Sequence, residues 1–203
     1  MKSKIDTSTV KNFSTALVAG MCIGFGVIIS LTIEDSVASS LFFAFGLLVI
    51  VALGLPLYTG RIGFMKEPKT FPSILIANLC GVVGLITIYV FSKPEFLITL
   101  RTVSLIKYQK NIFQMLCCGI LCGMLIHFAV KIKSIPVTFL AIAIFILIGA
   151  EHCIADFPYL LVNFNLINLI KWAVIIIGNS IGAIAIEILT TEKIDEICKH
   201  LTK

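Results

Sequence analysis

Charge is what this sequence has least of. Only 13% of its 203 residues are Asp, Glu, Lys or Arg, while 59% are hydrophobic, and mean hydropathy is +1.07. Soluble domains carry about 45–50% apolar residues. Residues 134–150, "SIPVTFLAIAIFILIGA", pass without a single charged side chain. Several such runs match or exceed the ~18–20 residues a helix needs to cross bilayer hydrocarbon. A soluble fold of this length has no core able to hold them. The scarcity of charge excludes a soluble protein, and the chain reads as a polytopic membrane protein.

Other absences narrow the class. The seven cysteines lie in apolar context and form no C-x-x-C pair. They read as small buried hydrophobes, supporting neither a disulfide framework nor a metal site. The first apolar run, residues 13–33, lacks a small-residue cleavage pattern, so a retained helix is expected rather than a secretory signal. No serine nucleophile motif stands out. A hydrolase built on Glu151, His152 and Asp156 through a metal would need ligands from other spans. Apart from His127, only thiols are available there. The net charge of +5 does not point to nucleic acid, because the basic residues sit at the ends of apolar segments. The reading is therefore no enzyme, no cofactor, no metal and no nucleic-acid partner.

Six spans account for residues 1–203 as one transmembrane domain: 13–33, 36–60, 70–92, 111–130, a fifth from 134, and about 167–190. Lys171 and Trp172 read as interfacial anchors of the sixth. The second span is interrupted at "GLPLYTG" by Gly54, Pro56 and Gly60, the fifth at "IGAEHCIADF". If the N-terminus is cytoplasmic, eleven basic residues, among them Lys11, Arg61, Lys66, Lys131 and Lys133, fall inside. Five fall outside: Lys93, Arg101, Lys107, Lys110 and Lys171. This bias favours cytoplasmic termini in the cell membrane.

An internal repeat is visible. "GMCIG" (Gly20, Gly24) is echoed 99 residues on by "GILCG" (Gly119, Gly123), and Asn78 of "NLCG" 101 residues on by Asn179 of "GNSIG". The broken second span at Thr59 matches the broken fifth at His152, 93 residues on. Halves of roughly 11–92 and 110–190 with an odd number of spans each must lie upside down to one another. Inverted repeats with a broken helix apiece are the layout of channels and transporters.

Breaks survive in lipid only where protein or a water-filled cavity satisfies the backbone. The half-helices after each break are expected to turn positive N-terminal ends inward and favour an anion. An intramembrane histidine at such a break is a functional candidate, since its ordinary pKa of ~6.5 permits proton exchange near neutrality. That singles out His152; His127, in an unbroken stretch, reads as structural. Glu151 is expected to be buried away from the path, protonated or bonded to the other break. Asp156, four residues from His152, is expected to hold the imidazole or cap the half-helix.

Taken together, "KNFSTALVAGMCIGFG", "LPLYTGR", "ANLCGVVG", "GILCGMLIHFAV", "GAEHCIADF" and "IGNSIGA" resemble, in order and one per span, the formate/nitrite transporter family. The resemblance implies an all-α, aquaporin-like membrane protein of six helices in three-plus-three inverted repeat, assembled as a homopentamer with one pore per protomer. It implies a channel for small monovalent weak-acid anions and protons, embedded in the lipid bilayer. A hydrosulfide or neutral-solute channel, or a non-transporting scaffold, are the alternatives. His152 matches the central pore histidine and Thr59 the threonine facing it. Leu57 and Tyr58 match one apolar constriction, and Phe43, Leu47 and Phe145 the other. Lys11 matches a vestibule cation, and Asn179 lies in the sixth-span motif, with Asp156 beside the pore. The family pattern is departed from at Pro56 (acidic), Tyr58 (phenylalanine), Gly123 and Asp156 (both asparagine). The two missing asparagines are expected to flank the pore and bear on selectivity.

Overall fold

A computed structural model of the chain describes residues 7–201, with side chains placed over 12–191. Helices and no strands occur among the described residues: α1 (Thr7–Thr32), α2 (Ser36–Leu53), α3 (Tyr58–Arg61), α4 (Phe71–Ser92), α5 (Phe96–Lys107), α6 (Ile112–Ile132), α7 (Ile135–Leu147), α8 (Phe157–Val162) and α9 (Leu166–Leu201). Two 3₁₀ turns, Ile62–Phe64 and Pro68–Thr70, join α3 to α4. Starts are marked by local chemistry. Asp35 caps α2 by accepting from Ala38 N at 2.7 Å. Asn111 and Gln114 form a reciprocal capping box at α6, which satisfies donors that the helix itself leaves open.

Five helices contain stretches long and apolar enough to span a membrane: Asn12–Thr32, Ser36–Leu53, Pro68–Ser92, Ile112–Ile132 and Leu166–Thr191. The fifth crossing is different. At ~1.5 Å per residue, α7 rises about 20 Å, short of the ~30 Å hydrocarbon layer. Irregular backbone from 148 to 156 and the six residues of α8 complete it. The chain is thus an all-helical, multi-pass membrane protein with six crossings, the second and fifth broken.

The two halves are built alike. Both α2 and α7 end in a left-handed glycine, Gly54 at φ 64° and Gly149 at φ 67°, a conformation glycine adopts without Cβ strain. Leu55 N donates to Ile50 O and Ala150 N to Phe145 O, closing the same C-terminal motif. Within each half the outer helices cross in backbone contact. A Cβ on Gly20 would fall inside the Asn78 carbonyl, and one on Gly81 inside that of Leu17. In the second half Gly123 meets Asn179 and Gly182 meets Ile120 in the same way. So α1 packs on α4 and α6 on α9, while α2 and α7 join the halves.

These contacts correct the sequence register. Gly20 corresponds to Gly123, not Gly119, and the break residue equivalent to His152 is Leu57, not Thr59. A Gly-x-x-x-Gly motif looks the same after a four-residue slide, so sequence offers no way to choose the turn. Gly123 also does not flank the path. It sits in the α6–α9 crossing, where no side chain fits.

Each break is closed by an asparagine. Asn78 accepts from Tyr58 N at 2.9 Å and donates to Ala16 O at 2.6 Å and Pro56 O at 3.1 Å. Asn179 accepts from Cys153 N at 3.0 Å and donates to Gly119 O at 2.9 Å and Glu151 O at 2.8 Å. Tyr58 N, Pro56 O, Cys153 N and Glu151 O are backbone groups that the interruptions expose, while Ala16 O and Gly119 O tie each asparagine to the neighbouring unbroken helix; both asparagines are fully buried.

The stretch between the third and fourth crossings, read as a loop, contains the amphipathic helix α5. Phe96, Leu100 and Ser104 form its buried stripe at a spacing of four. Ser104 Oγ donates to Tyr159 O at 2.7 Å, tying α5 over α8. The two expected interfacial anchors also turn inward: Lys171 Nζ donates to Tyr108 O, and Trp172 Nε1 to Cys153 O, each at 2.7 Å.

Leaving a buried partner unsatisfied costs about 1–3 kcal/mol. Asn78→Ala and Asn179→Ala each abandon three, and are expected to lower the melting temperature of the detergent-solubilised protein by about 10 °C or more. Gly182→Leu is expected to prevent assembly, measured as loss of the monodisperse size-exclusion peak. Gly84→Ala, where an added Cβ meets nothing within 4 Å, leaves that peak intact.

Candidate functional site

The broken helices bring Thr59 of α3 and His152 of the second break together at the centre of the molecule. Thr59 Oγ1 and His152 Nε2 lie 2.8 Å apart, and both residues are buried. Ala155 N donates to His152 Nδ1 at 3.2 Å. With Nδ1 acting as acceptor, the neutral imidazole carries its hydrogen on Nε2. Nε2–H therefore donates to the Thr59 hydroxyl, whose own hydrogen has no other partner among the described residues. The imidazole is flanked edge-on by Phe145, ring centroids 6.2 Å apart, and Phe145 by Phe43 at 5.7 Å.

A chamber opens on either side of this buried layer. One, of about 530 Å³, is lined by Leu57, Phe64, Arg61, Lys66, Lys131 and Lys133 together with the end of α2. It is the basic chamber. Lys131 is bonded to Glu187 at 2.8 Å. Arg61, Lys66 and Lys133 have no acidic partner among the described residues. The other, of about 270 Å³, lies under α5 and includes Phe43, Phe145, Lys107, Lys110, Glu151 and Asp156 in its wall. Leu57 thus borders the basic chamber, and Phe43 with Phe145 the α5 chamber.

The remaining sequence candidates divide. Leu47 is buried and lines neither chamber. Tyr58 stands to the side, its hydroxyl 3.0 Å from Ser180 Oγ and its ring at a right angle to Phe71. Asn179 spends its whole amide on backbone, at Cys153 and Glu151 of the break and at Gly119 of α6. Lys11 lies in α1, but its side chain falls outside those described. His127 packs its ring 4.8 Å from that of Phe64 and sets its Nε2 2.8 Å from Glu187 Oε2.

Two expectations for the acidic pair are overturned. Asp156 neither holds the imidazole nor caps α8; His152 is held by Ala155 N, and Asp156 Oδ1 accepts from Lys107 Nζ at 2.9 Å. Glu151 is buried, as expected, but does not reach the other break. It is ion-paired with Lys107 and, at 2.6 Å, with Lys110. Both lysines come from α5 and the residues just after it, so a reading that lacks α5 lacks the partners. Burial alone would push the Lys107 ammonium down, but Asp156 and Glu151 outweigh it and hold the group well above the ordinary lysine value. The amphipathic spacing of Phe96, Leu100 and Ser104 was the signal that could have placed these lysines. The half-helices also carry little dipole: α3 has four residues and α8 six, and the amides of Tyr58 and Cys153 are committed to the asparagines.

The arrangement has the elements of a permeation path: two chambers walled partly by charged side chains, a buried apolar layer between them, and one polar pair inside the layer. Comparison with solved structures returns the same architecture. A structure described as "Pentameric formate channel with formate bound" superposes with a TM-score of 0.73 at 19% identity, covering 97% of this chain and 99% of that one. An "FNT family ion channel" gives 0.72 at 17% identity, covering 87% and 85%. No curated relative matches the sequence. The sequence profile of the formate/nitrite transporter family matches residues 1–191. Chain length, fold and sequence profile agree, and this membrane protein, a transporter rather than an enzyme, belongs to the formate/nitrite transporter family.

Proposed function

We propose that the chain conducts small monovalent anions of weak acids, of formate or nitrite size, and that they cross the central layer as neutral acids hydrogen-bonded to His152 and Thr59. The observation that carries this reading is the Thr59–His152 pair, the one hydrogen-bonding couple between side chains of the two breaks, set in a layer walled by Leu57, Phe43 and Phe145. Moving a bare ion into such a layer costs on the order of 20 kcal/mol in the idealised limit, so the charge has to be discharged before the crossing. A neutral acid needs only a hydrogen-bond partner on the way, and the free hydroxyl hydrogen of Thr59 supplies one.

The histidine acts here chiefly as a hydrogen-bond donor. To hand over a whole proton it must first become imidazolium, and the second proton can bind only at Nδ1. Ala155 N–H occupies that lone pair, so loading the ring with a proton requires this bond to break. Arg61, Lys66 and Lys133 raise the local concentration of anions at the basic chamber, which on the distribution of basic residues faces the cytoplasm, as do both termini in the cell membrane. By likeness to the pentameric formate channel, the protomers assemble as a homopentamer in the lipid bilayer, each with its own path.

Replacing His152 by Phe, with Thr59→Val beside it, is expected to cut formate uptake into proteoliposomes at least ~10-fold, the scale on which losing a positioned polar contact worth ~1.4 kcal/mol acts. Undiminished flux in both variants would remove the pair from the mechanism. Formate, nitrite, hydrosulfide, lactate and glycerol compared at two pH values are expected to give flux that rises with acidity for the weak acids. A glycerol flux equal to theirs would instead identify a neutral-solute channel.

A further inference from the structure

Glu151 and Asp156 lie in one wall of the α5 chamber, 1% and 3% exposed. Their carboxyl groups are hydrogen-bonded to each other, side chain to side chain. Ionised carboxylates only accept hydrogen bonds, so a bond between the two requires that one of them carry a proton. The lysines decide which. Glu151 spends Oε2 on Lys107 and Oε1 on Lys110. Asp156 has only a share of Lys107, at Oδ1, and its Oδ2 is buried and receives no hydrogen. An anionic oxygen buried in that way is costly, and the acid form removes the charge. The proton belongs to Asp156.

The remaining ionisable neighbours of the pair are Tyr108, Tyr159, Cys118, Cys122 and Cys153. They are phenols and thiols with ordinary pKa values of ~10 and ~8.5, neutral at pH 7. With Asp156 protonated, the cluster holds two ammonium groups and one carboxylate. It carries one positive charge, in the same chamber wall as Phe43 and Phe145 of the apolar layer.

We propose that Asp156, holding the proton it shares with Glu151, is the acid that neutralises a permeant anion on the α5 side of the layer. This deepens the functional reading above and rests on it for the passage of weak acids, though not for the position of the proton. His152 is not placed for the role, because Ala155 N–H occupies the Nδ1 lone pair that a second proton needs. An anion drawn against the layer sheds water and becomes a stronger base. The O–H bond of Asp156 breaks, an O–H bond forms at an oxygen of the anion, and the electron pair stays on Asp156. The new carboxylate is met by Lys107 Nζ, 2.9 Å away. The positive charge that attracted the anion is thus cancelled in the same step that makes the permeant neutral. A hydronium ion from the α5 side then restores the acid form. In the opposite direction the arriving acid returns its proton to the Asp156 carboxylate and leaves as the anion.

Infrared spectroscopy of the whole protein in lipid reads the proton without transport. At pH 7 the wild type is expected to show the carbonyl stretch of a protonated carboxyl. That band should shift with isotopically labelled aspartate, ignore labelled glutamate, and be absent from Asp156→Asn. No such band, one that follows the glutamate label, or one that survives in Asp156→Asn overturns the proposal. Should Asp156→Asn fail to assemble, Asp156→Glu is expected to carry the band over to the glutamate label, and a band that stays with aspartate is the contrary result. Flux then tests the transfer. In sealed proteoliposomes of one orientation, formate uptake from the α5 side is expected to fall several-fold at pH 7 in Asp156→Asn. It should recover towards the wild-type rate as that side is acidified and hydronium supplies the proton directly. Equal flux at every pH, or a loss that acid does not lessen, overturns the donor role. A wild-type protein that carries no formate would sink the functional reading, while the band still locates the proton.

Discussion

The structure depends on two side-chain amides. A helix interrupted within hydrocarbon exposes backbone groups that no lipid can satisfy, and this chain interrupts two. Asn78 and Asn179 each take one amide hydrogen and supply two to carbonyls. That leaves the backbone free to depart from helical geometry at 54–57 and 149–156, and those departures put Thr59 against His152. Every functional distance in the molecule is downstream of these six hydrogen bonds. The glycine crossings serve the same end: only bare backbone at Gly20, Gly81, Gly123 and Gly182 lets the asparagine-bearing helices approach closely enough to reach.

On this scaffold the path is organised by contrast of environments rather than by a dense polar site. The centre holds a single neutral pair. Charge is kept to the chambers and is arranged differently in each: on the basic side Arg61, Lys66 and Lys133 stand beside a single Lys131–Glu187 pair, and beneath α5 both lysines are held by carboxyl groups. A weak acid suits such a path because its charge is removable. The barrier that excludes permanent ions is the same one that its neutral form crosses at little cost.

Much of this was legible in the sequence, and the parts that were not share a physical cause. Span number, the two interruptions, His152 and Thr59 follow from hydropathy and from Gly and Pro in lipid-soluble runs, because the bilayer enforces those rules without regard to tertiary context. The pairing of Asn78 with Asn179 also showed. What escaped depends on which side chain meets which across space. The register of the repeat slipped one turn because Gly-x-x-x-Gly is self-similar. The partners of Glu151 and Asp156 lie some forty to fifty residues upstream, on α5 and just after it, and α5 is short and half-polar enough to pass for a loop. Proximity along the chain suggested that Asp156 would serve His152; the turn at 153–156 gave that task to the main chain of Ala155 instead.

The distribution of bonds along the chain bears on how the protein is made. Everything that seals the first interruption, from Ala16 to Asn78, is present once the first three crossings have been synthesised, and the second interruption is likewise sealed within its own half. The hydroxyl of Thr59 is different, for its partner lies 93 residues downstream. A nascent N-terminal half can therefore reside in the bilayer with its main chain complete while the hydroxyls of Thr59 and of Tyr58, whose partner Ser180 lies 122 residues downstream, still wait, and their pairing marks the docking of two already finished bundles.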